Sequence, residues 1–545
     1  MTDSECDTGQ GIADAANIEC ESSEKDRRKR ISQNAELFFG IVGAVGTDLK
    51  MVELALSDAL REVSYSPTKI RLSDLIEAYF DVKKSSEEYL RIKRAMDLGN
   101  QLRKFGNDSV ALLGMVKIGS IRDEYWRNHN FLLPENTKES EYESIPIHKH
   151  AYIFHSLKHP DEIETLRSVY GDSFYVISAY SARADREAAL QKRIAESEIG
   201  NPRDNRVRKT NLLMRRDFIE ADLPNGQNVR DTFALADVFV NTSKKDECAA
   251  EVQRFVRLIF GDATQTPTRD EYCMFHAKGA ALRSGDLGRQ VGATIATENG
   301  DVVSHGSNEA PKAYGGQFWI GDKPDGRGVA QDGDISDERK RSLFIDLLER
   351  LVKGKKIEPL TEDYILSLAG EIFSDQQPRW SKGAELLELI GFYRSVHGET
   401  AALLNAARLG IAIKDCNLYV TAFPCHECAR HILAAGIKKV FYVEPYPKSL
   451  AGKHYPESIV IDGPSSSNQI SFCQFVGVSP RLYMKVFESL ARKNKSGTAI
   501  SWVPSLSKPR YHSHWLAYIE MEVALVSEFQ KKLKALDEED SNGSN

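Results

Sequence analysis

A pair of cysteines three positions apart, Cys425 and Cys428, offers the first candidate chemistry in this sequence of 545 residues. The segment that follows is predicted to be a helix, and positions i and i+3 share one helix face, so both sulfur atoms can bind the same metal ion. A helix N-terminus also lowers the pKa of a thiol. His426 is turned by about 100° around the helix and faces elsewhere. The C-x-x-C spacing alone leaves a redox pair, a metal site and an ordinary helix start open.

A second pair of candidate residues lies upstream, where His397 and Glu399 stand at the predicted start of another helix. A strand is predicted between the two helices, and this order lets both helix N-termini face each other. With His397 as third ligand beside the cysteines, zinc keeps its fourth position for water and lowers the pKa of that water. Glu399 is then placed to take a proton from the water and return it to the substrate. The alternative is a chance His-x-Glu beside a redox C-x-x-C.

The four residues together follow the order H-x-E … P-C-x-x-C, which is the signature of zinc-dependent nucleobase deaminases. From about 270 to 460 the chain resembles the deoxycytidylate deaminase family, whose opening hairpin is similar to "RSGDLGRQVGATIATENGDVVSHGSNEAP". The resemblance implies hydrolysis at C4 of cytosine, which releases ammonia and leaves uracil. It also implies that Asn308, in a G-x-N-x-x-P motif, orients the nucleotide, and that the backbone at Gly398 approaches the ring. The family more usually has Ala at the position of Gly398.

The charge of the chain bears on the kind of substrate. The net charge is −7, and no basic and aromatic stretch surrounds the deaminase motifs, which favours a free deoxycytidine nucleotide over a polynucleotide. Arg283, Arg289 and Lys278 lie near the hairpin and could neutralise phosphates, although a solvated surface position is the more ordinary interpretation of any one of them. Trp319 and Asp322 follow the hairpin and could line the pocket or bind Mg²⁺ with a triphosphate. A plain loop is at least as ordinary there.

The overall composition indicates a soluble globular protein. A length of 545 residues suggests about two to four domains, and 41% hydrophobic with 28% charged residues is typical of globular chains. No apolar run approaches the roughly 18 residues that a membrane helix needs. The N-terminal segment is acidic and polar, so it resembles neither a secretory signal nor a transit peptide. Eight cysteines without framework spacing indicate reduced thiols, and we expect a cytoplasmic protein without a membrane partner.

The first part of the chain alternates predicted strands with predicted helices, beginning with a strand at Leu37 to Val42. This alternation predicts βαβ units and a parallel sheet. In "FFGIVGAVGTDL" the first strand runs into a glycine-containing loop and a helix, which is the context of a phosphate-binding loop. The candidate nucleotide-binding residues are Gly40, Gly43, Gly46, Thr47 and Asp48. Thr47 could reach Mg²⁺, but the lysine of G-x-x-x-x-G-K-[ST] is missing, so nucleotide sensing and a structural turn both stay open.

The expected fold class is α/β, with an N-terminal P-loop-like parallel-sheet domain and a C-terminal cytidine-deaminase-like α/β/α domain that carries a helical insertion. The expected divisions, in order, are a disordered lead-in at 1–33, a nucleotide-kinase-like regulatory domain at 34–262, a deaminase domain at 263–534 with its insertion at about 315–390, and an acidic disordered tail at 535–545. No internal repeat is present.

Over about 35 to 500 the chain resembles the bacterial anti-phage dCTP deaminases, through "IFHSLKHPDEIETLRSVYG", "RDTFALADVFV" and "FVGVSPRLY". This resemblance implies that dCTP, and also dCMP, is converted to the uracil nucleotide, which depletes a pool that a phage needs. It implies regulation by a nucleotide or RNA at the first domain, and a homo-oligomer. The alternatives are a housekeeping dCMP deaminase, a polynucleotide cytosine deaminase and a non-enzymatic nucleotide sensor. Glu399 argues against the sensor, since a structural zinc site needs no base.

Overall fold

The computed structural model describes residues 36–542, apart from 199, 221–222, 224, 375–376, 382–383, 390, 447–448, 464–465 and 489. The lead-in expected at 1–33 lies outside these residues. Two six-stranded sheets organise the chain, so a mixed α/β fold with largely parallel sheets is confirmed. Among the residues described, no helix combines the length and the apolar character needed to span a membrane.

The first sheet has the strand order β12-β5-β4-β1-β3-β2. Its parallel strands are β1 (Leu37–Gly43), β2 (Ser66–Arg71), β3 (His150–Leu157), β4 (Phe174–Tyr180) and β5 (Val238–Asn241). All seven residues of β1 are buried, as expected of a central strand covered on both faces. The strand predicted at Leu37 to Val42 and the parallel sheet are confirmed.

Helices connect these strands and cover the sheet. They are α1 (Leu49–Glu62), α2 (Leu72–Tyr79), α3 (Glu88–Leu102), α4 (Ser109–Asn128), α5 (Pro160–Tyr170), α6 (Arg183–Ser197), α7 (Arg203–Phe218), α8 (Val229–Ala234) and α9 (Lys245–Ile259). α5 shows why one of them starts where it does: Pro160 occupies the first turn, while His159 and Glu162 form a reciprocal capping box.

The second sheet has the order β10-β11-β9-β8-β6-β7. After α10 (Arg269–Ala281), the antiparallel hairpin of β6 (Gly292–Ala296) and β7 (Val302–Ser307) pairs with β8 (Asn417–Ala422), and β9 (Lys439–Glu444), β11 (Ile470–Gln474) and β10 (Ile459–Ile461) follow in parallel. The turn at Gly300 has φ 92°, a left-handed value that glycine adopts without strain.

The remaining helices belong to the second half of the chain. Between β7 and β8 lie α11 (Ile335–Lys353) and α12 (Glu362–Ile372) of the insertion, followed by α13 (Gly398–Leu409). After β8 come α14 (His426–Ala434), α15 (Ala451–His454), α16 (Pro480–Phe487) and α17 (Trp515–Asn542). α17 reaches Asn542, so the disordered tail expected from residue 535 is wrong over 535–542.

The end of the chain returns to the first sheet. β12 (Gly477–Val478) pairs antiparallel with β5, and α17 packs against α4 and α5. The structure therefore differs from the expected division, which assigned everything from 263 to 534 to the deaminase domain. One hydrophobic core spans both halves, since it includes Phe38, Cys273 and Tyr518. The apolar pattern of a helix shows that it needs a partner but does not identify that partner, which is why the sequence did not indicate this return.

Candidate active site

Two helix N-termini bring three potential metal ligands together. His397 is the N-cap residue of α13, and Cys425 is the N-cap residue of α14. The Nδ1 atom of His397 lies 3.4 Å from the Sγ atom of Cys425 and 3.4 Å from that of Cys428. The three ligand atoms all lie within 4.8 Å of one another. The arrangement expected from the spacing of these residues is therefore present.

Two glycines, Gly398 and Gly306, allow α13 to reach this position because they carry no side chain. A Cβ atom on Gly398 would lie 2.9 Å from the carbonyl oxygen of Val291, and one on Gly306 of β7 would lie 2.2 Å from the carbonyl oxygen of Gly398. The helix start therefore packs directly against the backbone of the hairpin. Gly398 itself does not line the cavity described below, although both of its neighbours do, and the approach of its backbone to a ring stays a prediction.

The charges of the three groups favour a bound cation. The S–H of Cys428 and the neighbouring His397 lower the pKa of Cys425 to about 4, whereas the Cys425 thiolate and burial raise the pKa of Cys428. One thiolate is thus stable here, and a second needs a cation to balance it. Two sulfur atoms and one imidazole nitrogen form a donor set that suits zinc, with a fourth position free for water. Thr400 donates a hydrogen bond of 3.4 Å to the Cys428 sulfur.

Glu399 lies in the first turn of α13 and is 3% exposed. Burial, with a smaller contribution from Cys425, raises its pKa to about 7 even though His397 opposes the shift. A carboxyl group with such a pKa can accept and release a proton near neutral pH. The side chain also lines the same cavity as His397 and Cys425. Its position and its pKa therefore match those of a general acid and base.

A cavity of about 190 Å³ opens beside these residues. Sequence reasoning missed eight of the residues that line it, and those with polar or aromatic side chains are Asp286, Tyr393, Ser395, Phe423 and Tyr446. The ring of Tyr393 lies 5.5 Å from that of His397, and the Ser395 hydroxyl donates a hydrogen bond to Asp286. Tyr393 and Ser395 precede His397 by four and two residues, and this proximity along the chain was the available signal.

Asn308 lines the cavity, but its side chain already holds the chain in place. Its Oδ1 atom accepts a hydrogen bond of 2.7 Å from the N–H of Val291, and its Nδ2 atom donates one of 2.7 Å to the carbonyl oxygen of Arg289. Each of these atoms has one further hydrogen-bonding position. Asn308 therefore fixes the segment before β6, and its role toward a nucleotide stays a prediction.

The predicted phosphate-binding residues separate into two groups. Arg289 lines the cavity, where it lies 3.2 Å from Glu444 and 3.8 Å from Asp231 of α8. Lys278 and Arg230 also interact with the charge of Glu444. Arg289 thus lies at the cavity with two carboxylates beside it, and one of these, Asp231, comes from the first half of the chain.

Arg283 does not line the cavity, which corrects its predicted role. Its guanidinium donates hydrogen bonds to Gln317 and Phe318 and lies 3.7 Å from the ring centre of Trp319. Trp319 and Asp322 are absent from the cavity lining as well, and Asp322 pairs with Lys312. These side chains therefore contact residues of the insertion or of the region after the hairpin, and they do not contact the cavity.

His426 lies apart from the three ligands, with its ring 5.3 Å from the ring of His454.

The predicted loop residues of the first half of the chain line a different cavity. Gly43 ends β1, and Gly46, Thr47 and Asp48 follow it. Gly40 lies within β1, where an added Cβ would be 2.5 Å from Leu157, so it serves packing and does not line that cavity.

Comparison with known proteins finds relatives for part of the second half of the chain. Residues 267–444 match the family model described as the cytidine and deoxycytidylate deaminase zinc-binding region. Deoxycytidylate deaminase of Enterobacteria phage T2 is 46% identical over 57 residues, which are 10% of this chain and 30% of the relative. ComE operon protein 2 of Bacillus subtilis (strain 168) is 40% identical over 53 residues, which are 10% of this chain and 28% of the relative.

Deoxycytidylate deaminase of Homo sapiens is 36% identical over 70 residues, which are 13% of this chain and 38% of the relative. The chain thus spans about a third of the length of each of these relatives. The family model covers the hairpin, both helix N-termini and all three candidate ligands. Residues 267–444 are therefore similar to the zinc-binding region of cytidine and deoxycytidylate deaminases.

Proposed function

We propose that this protein removes the amino group of a free deoxycytidine nucleotide by hydrolysis, converting dCTP to dUTP and, as a second substrate, dCMP to dUMP. The observation that carries the proposal is the cluster of His397, Cys425 and Cys428 beside the buried Glu399, at the edge of one cavity. A structural metal site has no use for a buried carboxylate of raised pKa beside an open ligand position. The non-enzymatic sensor is therefore the weaker interpretation.

The residues of the site divide the reaction among them. His397, Cys425 and Cys428 would hold zinc, which when bound lowers the pKa of water so that it can attack C4 of the base. Glu399 takes a proton from the attacking water and passes it to the amino group, which leaves as ammonia. Tyr393 and Phe423 line the cavity with aromatic rings that suit a planar base. Water and the cytosine nucleotide are consumed, and ammonia and the uracil nucleotide are formed.

A free nucleotide agrees with the charge of the chain. The net charge of −7 does not favour polynucleotide binding. Arg289 lines the cavity and can bind a phosphate there, and the preference for the triphosphate rests on the resemblance to dCTP deaminases. Mg²⁺ could accompany that triphosphate.

In the cell, conversion of dCTP would deplete a pool needed for phage replication, and this defensive role rests on the resemblance of residues 35–500 to anti-phage dCTP deaminases. The P-loop-like first domain would then regulate a cytoplasmic homo-oligomer. The parallel sheet and the loop after β1 support such a domain. A housekeeping dCMP deaminase is the alternative, but that function does not require the part of the chain that forms the first sheet.

Ammonia release from the purified, zinc-loaded protein tests the proposal, with dCTP, dCMP, CTP and deoxycytidine supplied separately. We expect turnover of dCTP above that of dCMP and little turnover of deoxycytidine, which lacks phosphate. Preferential turnover of dCMP would favour the housekeeping function. No ammonia from any of the four would contradict the enzymatic proposal.

A further inference from the structure

A second cavity, of about 780 Å³, lies in the first half of the chain at the carboxyl ends of parallel strands. Residues 43–50 line it from the end of β1, Arg71 from the end of β2, and residues 155, 156 and 158 from the end of β3. In open α/β sheets, ligands bind in the crevice outside this edge. The deaminase residues described above do not line it.

Positive charge dominates the lining of this cavity. Eight lysines and arginines line it against three aspartates and glutamates, and six of the eight form ion pairs with carboxylates, which leaves Lys50 and Arg71. Among the described residues, neither Lys50 nor Arg71 forms an ion pair with a carboxylate. The cavity therefore offers unneutralised cations to an anionic ligand.

An oxyanion already occupies the innermost position. The carboxylate of Asp217, from the end of α7, accepts a hydrogen bond of 2.6 Å from the N–H of Val45 and one of 2.8 Å from the ammonium group of Lys158. Lys158 also donates to the carbonyl oxygen of Gly43. The loop after β1 and Lys158 thus bind an oxyanion together, and Lys158, which follows β3, supplies the cation that the loop itself lacks.

Two hydroxyl groups at the same end of the cavity have no hydrogen-bond partner in the described part of the chain. They are the buried Oγ1 atom of Thr47 and the buried Oγ atom of Ser156. Burying a hydroxyl without a partner is unfavourable, so a ligand that accepts hydrogen bonds here would recover stability. Both groups point to a ligand rich in acceptor oxygens.

We propose that this cavity binds a polyphosphate group, carried by a nucleoside triphosphate or by inorganic polyphosphate, and that its innermost phosphate displaces the carboxylate of Asp217. Lys158 and the N–H of Val45 then receive the phosphate, while Lys50 and Arg71 bind its outer charges. No phosphoryl transfer is part of this proposal. It deepens the regulatory part of the function proposed above, and it is tested without any cytosine nucleotide, so its failure and that of the deaminase proposal are separate results.

Calorimetric titration of the full-length, zinc-loaded protein with sodium tripolyphosphate tests the site. We expect binding by the unaltered protein and at least about tenfold weaker binding by the double variant Lys50→Gln/Arg71→Gln, because two charge-assisted contacts are lost. The matched control is Arg492→Gln/Lys495→Gln, which removes two exposed positive charges outside the cavity and leaves the affinity unchanged. Equal losses in both double variants, or no binding at millimolar concentration, would overturn the proposal.

The variant Asp217→Asn tests the displacement. It removes the negative charge that competes with the ligand, so we expect several-fold tighter binding of tripolyphosphate. Unchanged or weaker binding by a folded Asp217→Asn protein would show that the ligand does not take this position. Parallel titrations with ATP and GTP distinguish the sources. Tighter binding of either than of tripolyphosphate assigns a nucleotide, and equal affinity assigns the polyphosphate chain alone.

Discussion

At the scale of single residues, His155 shows how its surroundings set the pKa of a side chain in the wall of the cavity of about 780 Å³. Its Nδ1 atom lies 2.8 Å from Glu53, but Glu53 also binds Lys69 at 2.7 Å. Burial, followed by the charges of Arg71, Lys69 and Lys158, therefore lowers the pKa of His155 to about 4. The imidazole is neutral at physiological pH, and the hydrogen bond to Glu53 is one that a neutral ring can donate.

We expect this shift to make the stability of the protein depend on pH. Because the pKa of His155 is lower in the folded chain than in the unfolded chain, its contribution is complete above about pH 6.5 and is lost as the pH falls toward 4. A shift of this size corresponds to at most about 3 kcal/mol. In His155→Gln, which keeps a donor for Glu53, denaturant unfolding should show a smaller loss of stability between pH 6.5 and 4. Equal losses in both proteins would contradict the shift.

The ligands and the base were predictable from residue type and spacing. His397, Glu399, Cys425 and Cys428 follow the order H-x-E … P-C-x-x-C, which suits zinc binding and proton transfer. Arg283 was not predictable, because its guanidinium contacts Gln317 and Trp319 of the insertion, and position along the hairpin does not reveal such long-range partners. Asp286 was missed for the same reason, as it reaches the cavity only after the chain has folded, whereas Tyr393 could have been found from its position four residues before His397.

At the scale of elements, α8 links the two cavities. Just before it, Asn228 donates its N–H to the carbonyl oxygen of Lys158, which lines the cavity of about 780 Å³ in the first half of the chain. Within it, Asp231 lies 3.8 Å from Arg289 at the rim of the deaminase cavity. A ligand that shifts the chain near Lys158 would thus act on a helix whose side chain competes with phosphate for Arg289.

The variant Asp231→Asn should free Arg289 for the nucleotide. Because the pair is partly exposed, we expect a modest effect, a KM for dCTP lower by about two- to fivefold with kcat little changed. Steady-state kinetics measures this, with Asp246→Asn in α9 as a control that removes a carboxylate away from both cavities. An unchanged KM in Asp231→Asn would contradict the competition for Arg289.

Most elements followed from local sequence patterns, and the exceptions have physical reasons. β1, β3 and β4 are continuous apolar runs, which predict buried parallel strands. β2 reads SPTKIR, and its proline, charges and exposed residues suit an edge strand but give no strand signal. The two-residue β12 is too short for any pattern, so only its pairing with β5 reveals it.

At the scale of the whole molecule, a buried charge cluster joins distant parts of the chain. Arg122 in α4 is fully buried and binds Glu36 at 2.7 Å and Glu522 of α17 at 2.8 Å. Tyr152 and Tyr170 donate hydrogen bonds to these two carboxylates. Burial raises the pKa of Glu522, so the arginine is what keeps both carboxylates tolerable in the core.

Replacing the arginine tests this anchor. In Arg122→Met two carboxylates stay buried without their cation, and we expect a loss of about 3–5 kcal/mol in the free energy of unfolding. Arg127→Met, further along α4, removes an exposed arginine from its pairs with Asp123 and Glu139, and should leave the free energy of unfolding almost unchanged. Denaturant unfolding compares the two, and similar losses would contradict the role of Arg122.

The central claim is that Glu399 carries the proton while the other three residues hold the metal. We expect Glu399→Ala to keep the zinc content of the unaltered protein and to lower dCTP deamination by at least about a hundredfold. Glu427→Ala, which removes a carboxylate from the first turn of α14, is the control and should keep both zinc and activity. The most direct measurement is ammonia release from dCTP by zinc-loaded Glu399→Ala: near-zero release is predicted, and full activity would contradict the account.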